Sequence, residues 1–200
     1  TIHGSKKNYT RCRWKRIGWK SSLIRTFKGV EFNPHITSTI GLDFGTKMIK
    51  VDGEWVNSCL WDCAGNERFR FLAANYYDST DGLIVVCDID NDTSIKEMSE
   101  HLSTIHNYTV RDKPIWIIVA KKDLATPIRI EMVLNKIKTR YEHIPVMITS
   151  SLNNEGILES FTQIVRDVNN RLVTPGNEIK KRISLVEMDT QKSTSRFRCW

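Results

Sequence analysis

Hydrophobic positions along this chain change period from segment to segment, and each period predicts an element. Residues 48–51 and 54–61 are two runs flanking Asp52-Gly53. Asp-Gly tolerates positive φ at both central positions, so the pattern predicts an antiparallel hairpin. Residues 82–88 and 114–120 are continuous apolar runs, as expected of strands buried on both faces, and 145–149 is a shorter run of the same kind. Between them the spacing becomes helical. Residues 92–108 carry Ile95, Met98, Leu102, Ile105 and Tyr108. Residues 130–141 carry Val133, Leu134, Ile137 and Tyr141; residues 156–172 carry Leu158, Phe161, Ile164, Val165, Val168 and Leu172. Strands that alternate with helices predict an α/β fold around a mostly parallel sheet. After Thr174-Pro175-Gly176 no period is sustained, and residues 175–200 are expected to be a flexible basic tail. No internal repeat is visible.

Composition narrows the class. Of 200 residues, 40% are hydrophobic and 26% charged, which excludes collagen-like, low-complexity and wholly disordered chains and leaves room for one domain. No apolar run reaches the roughly 18–20 residues of a membrane span. The N-terminal residues lack the apolar core of a secretory signal. The five cysteines are odd in number and scattered, which argues against a disulfide or zinc framework and for a reducing compartment. The net charge of +7 is uneven: residues 1–30 hold nine Lys/Arg and no acid, residues 176–200 are +3, and the body between them is −5. A basic end suits a membrane surface or nucleic acid, and equally a solvated terminus.

In parallel sheets, ligands bind outside the carboxyl ends of the strands. The chemistry-bearing residues follow the apolar runs: Asp62-Cys63-Ala64-Gly65, Asp88, Lys121-Lys122-Asp123, and Thr149-Ser150-Ser151.

These residues carry a resemblance. Thr39-Ile40-Gly41-Leu42-Asp43-Phe44, then Trp61-Asp62-Cys63-Ala64-Gly65-Asn66-Glu67-Arg68-Phe69, then Tyr76-Tyr77 with Gly82 following, resemble the Rab branch of the Ras-like small GTPases. Order and spacing agree from about residue 20 to residue 172. The resemblance implies a P-loop NTPase fold, with a six-stranded, mostly parallel sheet and five helices over residues 20–174. It also implies GTP/GDP binding with Mg²⁺, GTP hydrolysis, and work in vesicle traffic with Rab-type effectors and regulators. The expected location is cytoplasmic, peripheral on the cytosolic face of an intracellular membrane.

Carried over by position, nucleotide contacts are implied at Gly18, Lys20, Ser21, Ser22, Thr39, Gly65, Lys121, Asp123, Ser150 and Ser151. The Lys20 ammonium would neutralise phosphate charge, and Ser21, Thr39 and Asp62 would hold Mg²⁺. Gly65 would bring its N–H to the γ-phosphate, and Asp123 would accept from guanine N1 and N2. Phe44, Trp61 and Tyr76 match an effector-contacting triad; for Phe44 and Trp61 core packing is the competing reading. Cys199 stands where Rab proteins carry prenyl groups. The chain ends Arg198-Cys199-Trp200, so one lipid on Cys199 beside the tail's lysines and arginines and an unmodified thiol are both open.

The departures are specific. In G-x-x-x-x-G-K-[ST] the two glycine positions fall on Trp14 and Trp19, where a Cβ opposes the curled phosphate loop; Gly18 serves only if the loop slips. The strand before that loop should be apolar, yet residues 7–13 read Lys-Asn-Tyr-Thr-Arg-Cys-Arg, and burying unpaired cations costs several kcal/mol each. Residues 1–19 are therefore a basic, poorly matching N-terminus, of the kind a fragment or an upstream frame error would leave. Ala120 replaces the asparagine of N-K-x-D, and Leu152 the lysine of S-A-K. Both changes should weaken guanine binding. Asn66 stands at the catalytic glutamine and is one methylene shorter, so hydrolysis should be slow. Two readings follow: a Rab-like switch with weak GTP binding and impaired hydrolysis, or a pseudo-GTPase interaction module that binds no nucleotide. A nucleic-acid role rests on charge alone and has no readable motif.

Overall fold

A computed structural model describes residues 8–15, 20–34, 42–63, 80–108 and 113–173; for β1, Lys20, residues 42–44 and 61–63, and Thr104, Asn107, Tyr108, Leu172 and Val173, only the backbone is described. The elements in chain order are β1 (Asn8–Lys15), α1 (Lys20–Phe27), β2 (Leu42–Val51), β3 (Glu54–Cys63), β4 (Gly82–Asp88), α2 (Asp92–Tyr108) and β5 (Ile115–Ala120). A 3₁₀ turn (Lys122–Leu124), α3 (Pro127–Arg140), β6 (Val146–Ile148) and α4 (Ile157–Val173) follow. The strands form one six-stranded sheet in the order β2-β3-β1-β4-β5-β6. Only β2 and β3 pair antiparallel; β1–β3, β1–β4, β4–β5 and β5–β6 are parallel. Sheet and class are those expected. Four of the five expected α-helices lie among the described residues.

The hairpin turns where its sequence predicts. Val51 pairs with Glu54, and the two residues between have φ of 50° at Asp52 and 88° at Gly53. Both central residues are left-handed, the geometry whose twist matches that of the flanking strands. Arg166 of α4 clasps the same turn, its Nε 3.0 Å from Asp52 Oδ1.

Among the described residues, two helices cover each face of the sheet. On one face Leu23, Ile24 and Phe27 of α1 and Phe161, Ile164, Val165 and Val168 of α4 pack on Val56, Leu60, Ile84, Val86, Trp116 and Ile118. Phe27 and Phe161 stack with centroids 4.1 Å apart. On the other face Ile95, Met98, Leu102 and Ile105 of α2 and Val133 and Ile137 of α3 cover Leu83, Val85, Cys87, Ile117 and Val119. Alternate residues of β4 and β5 serve opposite faces, which is why both strands read as unbroken apolar runs. Each such Leu, Ile or Phe contributes roughly 1.5–3 kcal/mol by leaving water.

Two local expectations change. Leu158 was expected on the core face of α4, but it is 51% exposed, and Ile157 is buried instead. Ile157 lies four residues before Phe161, on the row that Val165 continues, whereas Leu158 starts the outward face. Helix α3 begins earlier than its apolar period, because Thr126 caps it by accepting from Arg129 N–H (3.3 Å) and Pro127 opens it.

The strand with the least apolar sequence stands in the middle. Residues 8–15 form β1 between β3 and β4, despite their charge. The family-like pattern thus breaks between Trp19 and Lys20 without a matching break in the β1–α1 order, because strand pairing is backbone to backbone.

Candidate functional site

The strand order reverses at β1, whose neighbours β3 and β4 lead the sheet away in opposite directions. Such a switch point leaves a crevice at the carboxyl ends of the strands. Beside it, at the carboxyl ends of β5 and β6, a cleft of about 250 Å³ is lined by Ser22 of α1, Phe32, Ala120, Lys121, Asp123, Leu124, Ser151 and Leu152.

Backbone geometry builds one wall. Lys121, just after β5, adopts φ 64° and ψ 41°, a left-handed conformation uncommon outside glycine and asparagine. The sharp turn lets Leu124 N–H reach Lys121 O (3.0 Å) and Lys122 N–H reach Thr149 O (3.0 Å), fastening the 3₁₀ turn to the end of β6. Residues 150–155 close a small loop, with Ser150 and Glu155 bonded in both directions at 3.0 and 2.9 Å. Gly156 leaves it at φ 69°, and a Cβ there would lie 2.5 Å from Ile148 O. No other residue type fits without moving that loop.

Polar groups are pinned within this frame. Ser150, fully buried, donates its hydroxyl to Asp123 Oδ1 and accepts from Asn153 N–H at 3.1 Å. Lys122 pairs with Glu155. Asp88, at the end of β4, accepts from Asp90 N–H at Oδ1 (3.0 Å) and from the Lys121 ammonium at Oδ2 (2.8 Å). Thr149 Oγ1 is buried without a hydrogen-bond partner. Beside Asp88, burial first and that carboxylate second push the Cys87 thiol up to about 12. Cys59 and Cys87 are buried and form no disulfide.

The sequence-derived residues divide by position. Ser22, Lys121, Asp123 and Ser151 line the cleft, and Ser150 supports it from behind. Lys20 and Ser21 open α1 directly after the residues that join it to β1. Asp62 lies on β3 opposite Asp43, and Phe44 stands directly opposite Trp61 across the β2–β3 ladder. Gly18, Thr39, Gly65, Asn66, Tyr76 and Cys199 lie outside the described residues. Among the described residues no group of His, Cys, Asp and Glu could hold a metal ion by itself. No described helix is long and apolar enough to cross a membrane.

Sequence reasoning missed Phe32 and gave Asp88 no role. Phe32 belongs to no periodic segment, and its only signal is an isolated aromatic within the polar stretch 31–34. Asp88 was visible as a strand-end acid, but its partner could not be read.

Comparison with known proteins identifies the lineage. The sequence model of the Ras family matches residues 15–170. The chain is 28% identical over 187 residues to the Ras-related protein RABA5d of Arabidopsis thaliana, covering 89% of this chain and 85% of that one. It is 31% identical over 149 residues to the Ras-related protein Rab-11C of Dictyostelium discoideum, covering 74% and 66% of the two chains. It is 31% identical over 162 residues to the Ras-related protein Rab11E of Lotus japonicus, covering 79% and 74%. With the reversal of strand order at β1 and the cleft at the strand ends, these matches show that the chain belongs to the Ras family of small GTPases, in its Rab branch.

Proposed function

We propose that this protein is a guanine-nucleotide-dependent switch in vesicle traffic, with weakened nucleotide binding and slow hydrolysis. Ras-family proteins generally bind GTP or GDP with Mg²⁺. The observation that carries the reading here is the Asp123 carboxylate, oriented by Ser150 in a cleft whose other walls include Phe32, Leu124 and Leu152. A carboxylate is acceptor-only, and guanine offers donors at N1 and N2 where adenine offers an acceptor at N1. Apolar walls suit the faces of a flat base. The residues present therefore fit a guanine nucleotide. Lys20 would meet its phosphates, and Ser21, Thr39 and Asp62 would hold the magnesium ion. When bound, that ion supplies neutralisation of the phosphate charge.

The same wall supports the weakening. Ala120 gives the cleft a methyl group where the family's asparagine would give an amide, and Leu152 gives an apolar side chain where it would give an ammonium. A domain end at 174, effector contact through Phe44, Trp61 and Tyr76, and a lipid on Cys199 at the cytosolic face of a membrane belong to this reading; a domain start at 20 does not, because β1 (Asn8–Lys15) pairs with both β3 and β4 within the sheet. A second reading, a nucleotide-free interaction module, draws on Trp14 and Trp19 at the two glycine positions of the phosphate-loop pattern and on Ala120.

Titration with a fluorescent guanine nucleotide, with and without Mg²⁺, separates the two. Saturable binding that Mg²⁺ strengthens and Asp123→Ala abolishes is expected. Absence of binding up to tens of micromolar nucleotide, corresponding to roughly −6 kcal/mol, would leave the interaction module standing.

A further inference from the structure

Asp88 and Lys121 form an ion pair at the back of the cleft, and the nucleotide reading above gives only one of them a role. Asp88 ends β4 and its Cα is in register with Ala120 of β5, so the residue after Ala120 emerges beside it. Its side chain is 5% exposed and that of Lys121 is 21% exposed, which places the pair where solvent screens it weakly. The carboxylate is itself held by Asp90 N–H, which donates to Oδ1 at 3.0 Å, and the backbone of Asp88 is held by its own N–H, which donates to Ser94 Oγ at 2.9 Å. Asn91 caps α2 by accepting from Ser94 N–H at 3.1 Å, so helix α2 and strand β4 fix the acid between them. The oxygen that faces Lys121 is therefore a fixed point.

Lys121 is the movable partner. Its backbone is left-handed, its Nζ lies 2.8 Å from Asp88 Oδ2, and it also lines the cleft. A lysine tethered at its tip presents its four-carbon stem as a surface. Untethered, the same side chain carries rotamer freedom that binding would have to remove.

We infer that Asp88 is a positioning residue for the nucleotide site: it anchors the Lys121 ammonium so that the lysine stem forms a fixed wall of the base cleft. Asp88 touches no ligand and acts only through Lys121. The inference rests on the nucleotide reading, and it makes one claim that does not depend on ligand: the pair is energetically coupled in the empty protein.

A double-mutant cycle on the full chain tests it, with Asp88→Asn, Lys121→Met and the two together. Lys121→Met keeps the stem and removes the charge. Fluorescent GDP affinity is expected to fall roughly tenfold in Asp88→Asn, about 1.4 kcal/mol, and to change less than about twofold when the same substitution is made in Lys121→Met. Asp88→Glu should retain part of the affinity in the Lys121 protein. It should differ little from Asp88 in the Lys121→Met protein, and it serves the cycle if Asp88→Asn is too unstable to assay. Without nucleotide, Lys121→Met should melt below Asp88→Asn/Lys121→Met, because the single variant leaves a buried carboxylate without its ammonium. Equal fold-losses in both backgrounds, an unchanged affinity in Asp88→Asn, or the reverse melting order overturns the assignment. A wild-type protein that binds no guanine nucleotide overturns the nucleotide reading and this one with it. A wild type that binds, with variants that fail the cycle, overturns this one alone.

Discussion

Ser150 gives its hydroxyl hydrogen to the Asp123 carboxylate across 27 residues of sequence, and takes one in turn from the Asn153 amide at 3.1 Å. The relay ties the residue best suited to read guanine to a loop built around a positive-φ glycine. Ser150→Ala removes the middle of the relay and orphans both ends. A loss of about 1–3 kcal/mol in urea unfolding is expected, with a several-fold drop in fluorescent GDP affinity. Unchanged affinity in a destabilised protein would mean that Asp123 is oriented by other contacts.

Ala120 offers a gain. In the β5–β6 register Ile118 faces Met147 and Val119 faces Ile148, so continuation of the two strands brings Ala120 level with Thr149. Ala120 and Met147 pack on the same core face, and alternation puts Thr149 there too. Its hydroxyl is buried and without a partner. Ala120→Asn brings an amide to that hydroxyl. Stability should rise by about 1 kcal/mol and GDP affinity several-fold. A variant no better than wild type in either respect would count against the weakening assigned to Ala120.

Asn66→Gln tests the hydrolysis reading in a protein shown to bind GTP. The longer side chain reaches one methylene further towards an attacking water. Single-turnover hydrolysis should rise roughly 10- to 100-fold, the scale on which about 1 Å of misplacement acts. An unchanged rate removes Asn66 from the catalytic position.

Gly82 is required by its neighbour. A Cβ there would lie 2.6 Å from Trp116 Cζ3, and the ring cannot retreat because it is 1% exposed and its Nε1 donates to Asp167 at 3.1 Å. Gly82→Ala should cost about 1–3 kcal/mol by overpacking. Adding Trp116→Phe removes the clashing atoms, so the double variant should lose less than the sum of the two singles in urea unfolding.

Cys87 sets a pH slope. Its thiol is raised in the fold to about 12 from an ordinary 9.0, chiefly by burial and then by Asp88. Below about pH 9 it is protonated in both states and gives no slope. Between pH 9 and about 12 the unfolded chain ionises while the folded one does not, so stability falls as pH rises, by on the order of 1 kcal/mol per unit. Cys87→Ala lacks this contribution. The stability advantage of wild type over Cys87→Ala should therefore shrink from pH 8 to pH 10, and a constant difference would show that the thiol is not held protonated.

The sequence by itself determined the elements whose signals are local. The Asp52-Gly53 hairpin, strand β4 at 82–88 and helix α2 at 92–108 lie where their patterns predict, because φ preference and hydrophobic period act over a few residues. The motif residues Lys121, Asp123 and Ser151 were legible for the same reason, as short strings at the ends of apolar runs. Tertiary structure alone decided what depends on neighbours distant in the chain. It put cationic β1 at the sheet centre, where its backbone pairs with both β3 and β4, a position its side-chain pattern does not announce. It chose Ile157 over Leu158 for the core, a matter of roughly 100° of rotation about α4. It brought Phe32, from the segment after α1, to the cleft of Asp123, and it brought Asp88 to Lys121 because a parallel sheet aligns the ends of β4 and β5, which the chain separates by more than 30 residues.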